Sequence, residues 1–499
     1  MFNEVGAEAF MRAIGVGRVM LVSVAAALAV CAGCGGGGSS TTSSSGSGST
    51  TVSAPTITVQ PVSQAVSSGS AVTLSVTATG DGTLSYQWYK DSTAISGATS
   101  ASYAIASASS SDAGAFYVVV TNSGGSTTSS TATLSIAATT TASCDTTYVD
   151  GVLSAVAAFE TAVGSTLTAA TQYDNAAYTT AQLNVYKTNW SNLPPGALQF
   201  SRPGMTLANV TTAAQVAAFN ALAKAALSTS GYADFQGVIA ADDYLGYTKN
   251  ANGYGADLYH VAFIGTPSQA GAWTLMLGGH HLAFNINFNA ACAYPTPHHI
   301  GVEPRTAFTA NNHTSYNFYD SGSYTVLDAK ASAMLAVFGG LDSTSLSSAF
   351  LTGQTFSDIL IGPVEASTGS YTAVKTKFNA IASSSTRGVL VSGLTTAQQA
   401  LVSAAITQFT GDYDSATAAR LLADYQAGYA STYVAWANAA GTYSSSGPDV
   451  AANATYMRID GPRVWIEIAV QNGIVIQNQT HYHVMFRDKT TDYFNQLAS

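Results

Sequence analysis

The eight histidines of the chain fall in two places. His260, His280, His281, His298, His299 and His313 lie within one stretch of about fifty residues, and His481 and His483 form an HxH pair near the C-terminus. Histidine is the commonest side-chain metal ligand and the usual acid–base group near neutral pH. In His481-Tyr482-His483 the period of a strand puts both imidazoles on one face, about 7 Å apart, so that one strand offers two ligands to one ion. In the run Gly278 to Asn287 the same alternation puts His281, Asn285 and Asn287 on one face and His280, Leu282, Phe284 and Ile286 on the other. One of the two adjacent histidines then faces a site, and a bulge at the paired glycines is the device that would re-aim the other. A third contribution is available from Pro297-His298-His299-Ile300-Gly301-Val302-Glu303-Pro304-Arg305.

Carboxylates narrow the chemistry. Beyond the leader the glutamates are Glu160, Glu303, Glu365 and Glu467, and Glu303 and Glu467 stand in the histidine segments or beside them. A carboxylate with two or three histidines suits zinc, iron or copper better than calcium or magnesium, which take oxygen ligands. The candidate metal set is therefore His280, His281, His481, His483 and Glu303. Glu303 or Glu467 is the candidate base, and Arg463 or Arg487 the candidate holder of an anionic group. The competing readings are a satisfied polar core network and a ligand cleft without metal. His260 and His313, each standing alone, read as hydrogen-bonded structural residues. The sequence contains no HExxH, no GxSxG elbow, no P-loop and no GxGxxG after a strand.

The elements that must position these groups change in period along the chain. Val149, Leu153, Val156 and Phe159 recur at helical spacing, as do Val216, Phe219, Leu222 and Leu227 before Gly231, which reads as the end of that helix. A further Ala-rich helical stretch is expected from about Thr396 to Trp436. Strands are expected over Leu258–Ile264, Trp273–Leu277, Leu282–Phe288 and Val464–Val470. Helices and strands in blocks predict an α+β domain over 148–499.

Residues 54–137 alternate with period two between turn signals, as in an antiparallel sandwich, with Val72, Leu74 and Val76 on one face. The succession GxxVTLxV, YQWYK and DAGxFxVxVTN resembles the immunoglobulin-like domain. By that resemblance Trp88 is the core tryptophan, Val76 and Val118 replace the inter-sheet cysteines, and Phe116 takes the tyrosine-corner position. Such a domain serves as a spacer or adhesive module. The fold class expected for the whole chain is multidomain: an N-terminal all-β immunoglobulin-like sandwich plus the C-terminal α+β domain.

Before the sandwich, Arg12 and Arg18 precede the apolar run Val19–Val30, which has the length of a signal-peptide core. The junction Cys31-Ala32-Gly33-Cys34 resembles a bacterial lipobox, with Cys31 where Leu is usual. A signal peptide over 1–34 with acylated Cys34 is expected, simple cleavage and a retained anchor being the alternatives. A flexible Gly/Ser/Thr linker spans 35–53, and a second linker 138–147. Cys144 and Cys292 then remain, either as one disulfide or as two buried thiols. Lys+Arg 17 against Asp+Glu 27 leaves a net charge of −10 with no basic stripe. Nucleic acid is excluded as a partner on that ground.

The runs WxxxLGGHHLAFN, PTPHHIGVEP, RIDGPRVWIEI and HYHVMFRDKTTDY resemble a bacterial family known as domain of unknown function 3500. Trp190, Arg202-Pro203-Gly204 and Leu227-Ser228 before Gly231-Tyr232 fit the same family, and the resemblance extends over about residues 148–499. It matches His280, His281, Glu303, Pro304, Arg458, Gly461, Pro462, Glu467, His481, His483, Arg487 and Asp488, leaves His298 and His299 secondary, and implies no activity. Two functions are carried forward. One is an exported, membrane-tethered enzyme of the cell envelope, hydrolytic or oxidative, with a transition metal and a small-molecule substrate. The other is a non-catalytic surface binder or adhesion protein.

Overall fold

The computed structural model describes residues 52–67, 72–105, 108, 110–137, 144–174, 177–190, 202–313, 317–362, 371–384 and 386–492. The expected leader, Cys34, the tract to residue 51 and residues 138–143 of the second linker lie outside the described residues.

The N-terminal strands are β1 (Thr56–Val59), β2 (Gln64–Ser67), β3 (Val72–Ser75), β4 (Thr77–Thr79), β5 (Ser85–Lys90), β6 (Thr93–Ala94), β7 (Ser102–Ile105), β8 (Gly114–Asn122), β9 (Gly125–Thr128) and β10 (Ala132–Ala137). One sheet runs β2-β10-β8-β5-β6 with β9 on β8, and β3 pairs with β7 separately. Alternation decides what meets between them: Val72, Leu74 and Val76 pack with Trp88, Phe116 and Val118 in one buried cluster. Valines thus fill the space of the absent inter-sheet disulfide, which is the sandwich expected from the sequence.

The second region contains the helices α1 (Thr146–Thr171), α2 (Thr180–Thr188), α3 (Ala213–Ala226), α4 (Thr229–Asp243), α5 (Asp328–Gly339), α6 (Ser343–Ala349), α7 (Thr372–Ala382), α8 (Thr396–Thr410) and α9 (Ser415–Ala427). Its strands are β11 (Gln172–Tyr173), β12 (Met205–Thr206), β13 (His260–Ile264), β14 (Trp273–Gly279), β15 (Leu282–Asn289), β16 (Cys292–Tyr294), β17 (His298–Val302), β18 (Phe308–Ala310), β19 (Gly322–Tyr324), β20 (Val389–Leu390), β21 (Tyr433–Ala437), β22 (Tyr456–Asp460), β23 (Val464–Asn472) and β24 (Thr480–Asp488). Twelve of them make one sheet, β11-β13-β14-β15-β17-β24-β23-β22-β21-β20, with β12 on β13 and β16 on β15.

Two expectations need correction here. The stretch from Thr396 to Trp436 is two helices and a strand: Asp414 caps α9 through the amides of Ala416 and Thr417, and Trp436 lies in β21. Gly231 does not end a helix. Leu227 ends α3, Ser228 caps α4, and Gly231 lies in the first turn of α4, where a Cβ would stand 2.2 Å from the Asp412 carbonyl oxygen.

The sheet is built twice over. Thr212 caps α3 and Thr395 caps α8, each in a capping box with Gln215 and Gln398. Gly204 (φ 89°) and Gly388 (φ 105°) precede the short edge strands and abut the carbonyls of Val261 and Val434 at the same place in each half. The hairpin turn Gly279-His280-His281-Leu282 has its counterpart in Gly461-Pro462-Arg463-Val464. The two antiparallel runs, β13 to β17 and β24 to β21, join through the β17–β24 pair in the middle of the sheet.

Alternation gives this sheet two unlike faces. Leu282, Phe284, Ile300, Val484 and Phe486 point into the main apolar core beneath the helices. The opposite face carries Ala283, His299, Gly301, His481, His483 and Met485, by the register of β15, β17 and β24. Cys144, just before α1, is bonded to Cys292 at the start of β16 and so ties that helix to the sheet.

Candidate metal centre

His481 and His483 project from one face of β24, as period two requires. Their Nε2 atoms stand 3.3 Å apart, much closer than the backbone spacing, because the rings turn toward each other. His281 arrives from the β14–β15 hairpin. Gly279 pairs with Leu282, so His280 and His281 form the two-residue turn, and His281 adopts φ 59°. The sequence reading of these two as strand residues on opposite faces is therefore corrected: a turn has no alternation to obey, and the two rings stack with centroids 3.7 Å apart. Ligand nitrogens of His281, His481 and His483 all lie within 4.8 Å of one another, and the three residues are buried. No other group of three such residues converges in this way among the described residues.

The opposing strand makes room for them. Gly301 pairs with His483, and its amide donates to the His281 carbonyl at 2.6 Å. A Cβ at 301 would lie 2.7 Å from His281 Cδ2 and 3.0 Å from His483 Cδ2, so only glycine fits under both rings.

Carboxylates orient the imidazoles from behind. His483 Nδ1 is 2.7 Å from Asp358 Oδ1, and His280 Nδ1 is 2.5 Å from Asp242 Oδ1 in the last turn of α4. A π-helical turn, Tyr244–Thr248, follows directly and leads the chain away from the site. Tyr259 donates to the His280 carbonyl at 2.7 Å and closes the hairpin from below.

Burial first, then neighbouring imidazoles, holds His281 well below the usual histidine range. The same two causes push His481 down to about 3. Burial alone would raise the Asp358 carboxyl, but His483 beside it outweighs this and the net shift is downward. Neutral imidazoles are the form in which histidine binds metal.

Residues 150–495 match the family described as "Protein of unknown function (DUF3500)", and residues 54–122 match the immunoglobulin domain. The chain belongs to the DUF3500 family. No curated protein matches the chain. Solved structures align with 17% of it: a chimeric titin Z1Z2-Z1Z2 tandem (28% identity, TM-score 0.16), Sidekick-1 immunoglobulin domains 1–5 (25%, 0.16) and Drosophila OTK extracellular domains 3–5 (23%, 0.16). The chain spans 51%, 18% and 32% of those three chains.

Within the DUF3500 region the remaining candidates have other work. Glu467 lies outside the converging group and accepts from the amides of Leu360 and Ile361 at 2.7 and 2.8 Å and from the Tyr456 hydroxyl at 2.8 Å. Glu303, the candidate ligand and base, also lies outside the converging group: its Oε1 accepts from the amides of Val475 and Ile476 at 2.8 and 2.6 Å, in the loop that leads into β24, while its buried Oε2 has no hydrogen-bond partner. Both carboxylates fix backbone because a buried loop must satisfy its amides. Arg487, the candidate holder of an anion, is fully buried, donates to the carbonyls of Ile361 and Gly362 and pairs with Asp492. Arg463 likewise pairs with Asp424 and Asp488. His280, with its ring behind His281, stands outside the converging group.

The secondary pair divides between the faces. His299 lies on the same face as His481 and His483, with its ring centroid 5.6 Å from that of His483. His298 lies on the other face, stacked on Phe284 at 4.1 Å. His260 pairs with Gly278 in the sheet and His313 bonds Asp243 at 3.1 Å, each in a structural setting. The sequence reading missed Asp242 and Asp358. They lie 38 and 125 residues from their histidines, and neither has a local motif.

Proposed function

We propose that the DUF3500 region is a metal-dependent hydrolase whose single transition-metal ion, zinc by preference, sits on His281, His481 and His483. The observation that carries this is the convergence of three buried ligand nitrogens within 4.8 Å, two of them 3.3 Å apart. Bonds of about 2.0 to 2.1 Å at tetrahedral angles place ligand nitrogens about 3.3 to 3.4 Å apart. The His481–His483 edge already has that length. Three imidazole ligands leave a fourth position for water, and zinc bound so lowers the pKa of that water to about 7.

The immunoglobulin-like domain and the flexible tract before it serve, in this reading, to hold the enzyme off a membrane to which Cys34 is acylated. Cys34→Ala should convert membrane-bound protein into a soluble exported form; unchanged membrane association would remove lipidation from the account.

Chromogenic carboxylic and phosphoric esters, offered to the chelator-stripped protein and to the zinc-reloaded protein, test the hydrolytic reading. Turnover restored by zinc and lost in the double variant His481→Ala/His483→Ala supports it. Tight zinc binding without turnover of any ester would favour a metal-stabilised binding protein on the same scaffold.

A further inference from the structure

The segment Ser357–Gly362 crosses the histidine-bearing face of the sheet and is held there at almost every residue. Gln471 donates to the Ser357 carbonyl at 2.8 Å, and Lys377 to that of Leu360 at 3.0 Å. Glu467 takes the amides of Leu360 and Ile361, and Arg487 donates to the carbonyls of Ile361 and Gly362 at 3.1 and 2.6 Å. Gln471, Glu467 and Arg487 belong to β23 and β24, the second of which carries His481 and His483. One side chain of this strap turns toward the metal centre: Asp358 Oδ1 accepts from the Ile359 amide at 2.6 Å and lies 2.7 Å from His483 Nδ1.

An ionised carboxylate only accepts hydrogen bonds. Nδ1 of His483 therefore carries a hydrogen, and in the neutral ring that metal binding requires Nε2 is the nitrogen left to ligate, on the side where His481 Nε2 stands 3.3 Å away. We propose that Asp358 is the positioning residue of the three-histidine centre, and that docking of the 357–362 strap and occupancy of the centre by a divalent ion are thermodynamically linked. This rests on the metal reading given above. The pins give the linkage its path: Glu467 and Arg487 fix the strap backbone, the backbone fixes Asp358, and Asp358 fixes the tautomer and orientation of His483. By reciprocity, whatever an ion gains from a docked strap the strap gains from the ion.

Zinc alone is the probe, with the full chain stripped by chelator. Hydrogen exchange at the amides of Leu360 and Ile361 should slow when zinc is added. Asp358→Ala should bind zinc about 10–100-fold more weakly, the usual cost of losing an outer-shell partner, and should lose the zinc-dependent protection while its metal-free melting temperature stays near that of the parent. Asp358→Asn, whose amide oxygen can still accept from Nδ1, should recover part of the affinity and serves as the test if the alanine variant does not fold. Parent-like zinc affinity in these variants, or exchange at 360 and 361 indifferent to zinc, overturns the proposal while the metal centre stands. Failure of the parent protein itself to take up zinc is the separate result that removes the centre and the linkage together.

Discussion

A methyl group at position 301 would press on the rings of His281 and His483 together, at 2.7 and 3.0 Å. Gly301→Ala should therefore weaken zinc binding at least about tenfold, as a displaced ligand does, with little loss of secondary structure by circular dichroism. Unchanged affinity would mean that the rings have freedom the packing denies them. The buried histidines also set the response to acid. Burial, with the Arg202 guanidinium beside it, lowers His260 to about 4, and burial holds His298 well below the usual range. Their folded pKa values lie under the unfolded value of about 6.5, so below that pH the unfolded chain binds protons that the folded chain refuses. Stability is complete above about pH 6.5 and falls by about 1.4 kcal/mol per pH unit per histidine, for His260 until about pH 4. His260→Gln should reduce that slope in urea melts between pH 6.5 and 4.5; an unaltered slope would locate the acid sensitivity elsewhere. At this scale the sequence named the three converging histidines because the HxH spacing survives any register of β24. It did not place Glu303 and Glu467 outside the converging group, because composition does not reveal which carboxylates will accept from the amides of a loop.

The β14–β15 hairpin and β24 are distant in sequence, and the β17 strand between them brings them together. That arrangement follows from the doubled architecture: each half contributes one antiparallel run, and their last strands pair at the centre of the sheet. One hairpin turn carries His280 and His281, while its counterpart carries Pro462 and Arg463, committed to Asp424 and Asp488. The doubled scaffold thus brings three histidines together once among the described residues. Apolar alternation made β13, β14, β15 and β23 legible, but the turn at His280-His281 was not, because its pairing is set by Gly279 packing against the Tyr259 ring. The Thr396–Trp436 stretch misled for a related reason, since alanine-rich composition carries no signal for a break that Asp414 makes by capping. The Cys144–Cys292 bond closes a loop with sequence separation 148. In the chain-entropy model it stabilises by about 5 kcal/mol. Cys144→Ser with Cys292→Ser should lower the melting temperature by several degrees and leave zinc stoichiometry intact. No loss of stability would show that the packing of α1 on the sheet suffices alone.

The two regions of the chain have separate apolar cores, one around Trp88 and Val118 and one between helices and the long sheet. A fragment starting just before Cys144 should accordingly melt cooperatively and bind zinc as the full chain does. A fragment that expresses only as aggregate would show that the immunoglobulin-like domain is needed for folding. The modular plan could be read in the sequence from the change of period near residue 140, as could the immunoglobulin-like motif, since both are local patterns. The carboxylates behind the histidines could not, because they depend on long-range contacts. The account of the molecule turns on whether one ion binds where three nitrogens converge. Elemental analysis of the untagged, full-length protein, after dialysis against trace zinc, measures this directly. One zinc per chain, absent from His481→Ala/His483→Ala with an unchanged circular dichroism spectrum, is the predicted result. A parent protein that retains no zinc, iron or copper, or a double variant that retains as much as the parent, would contradict it.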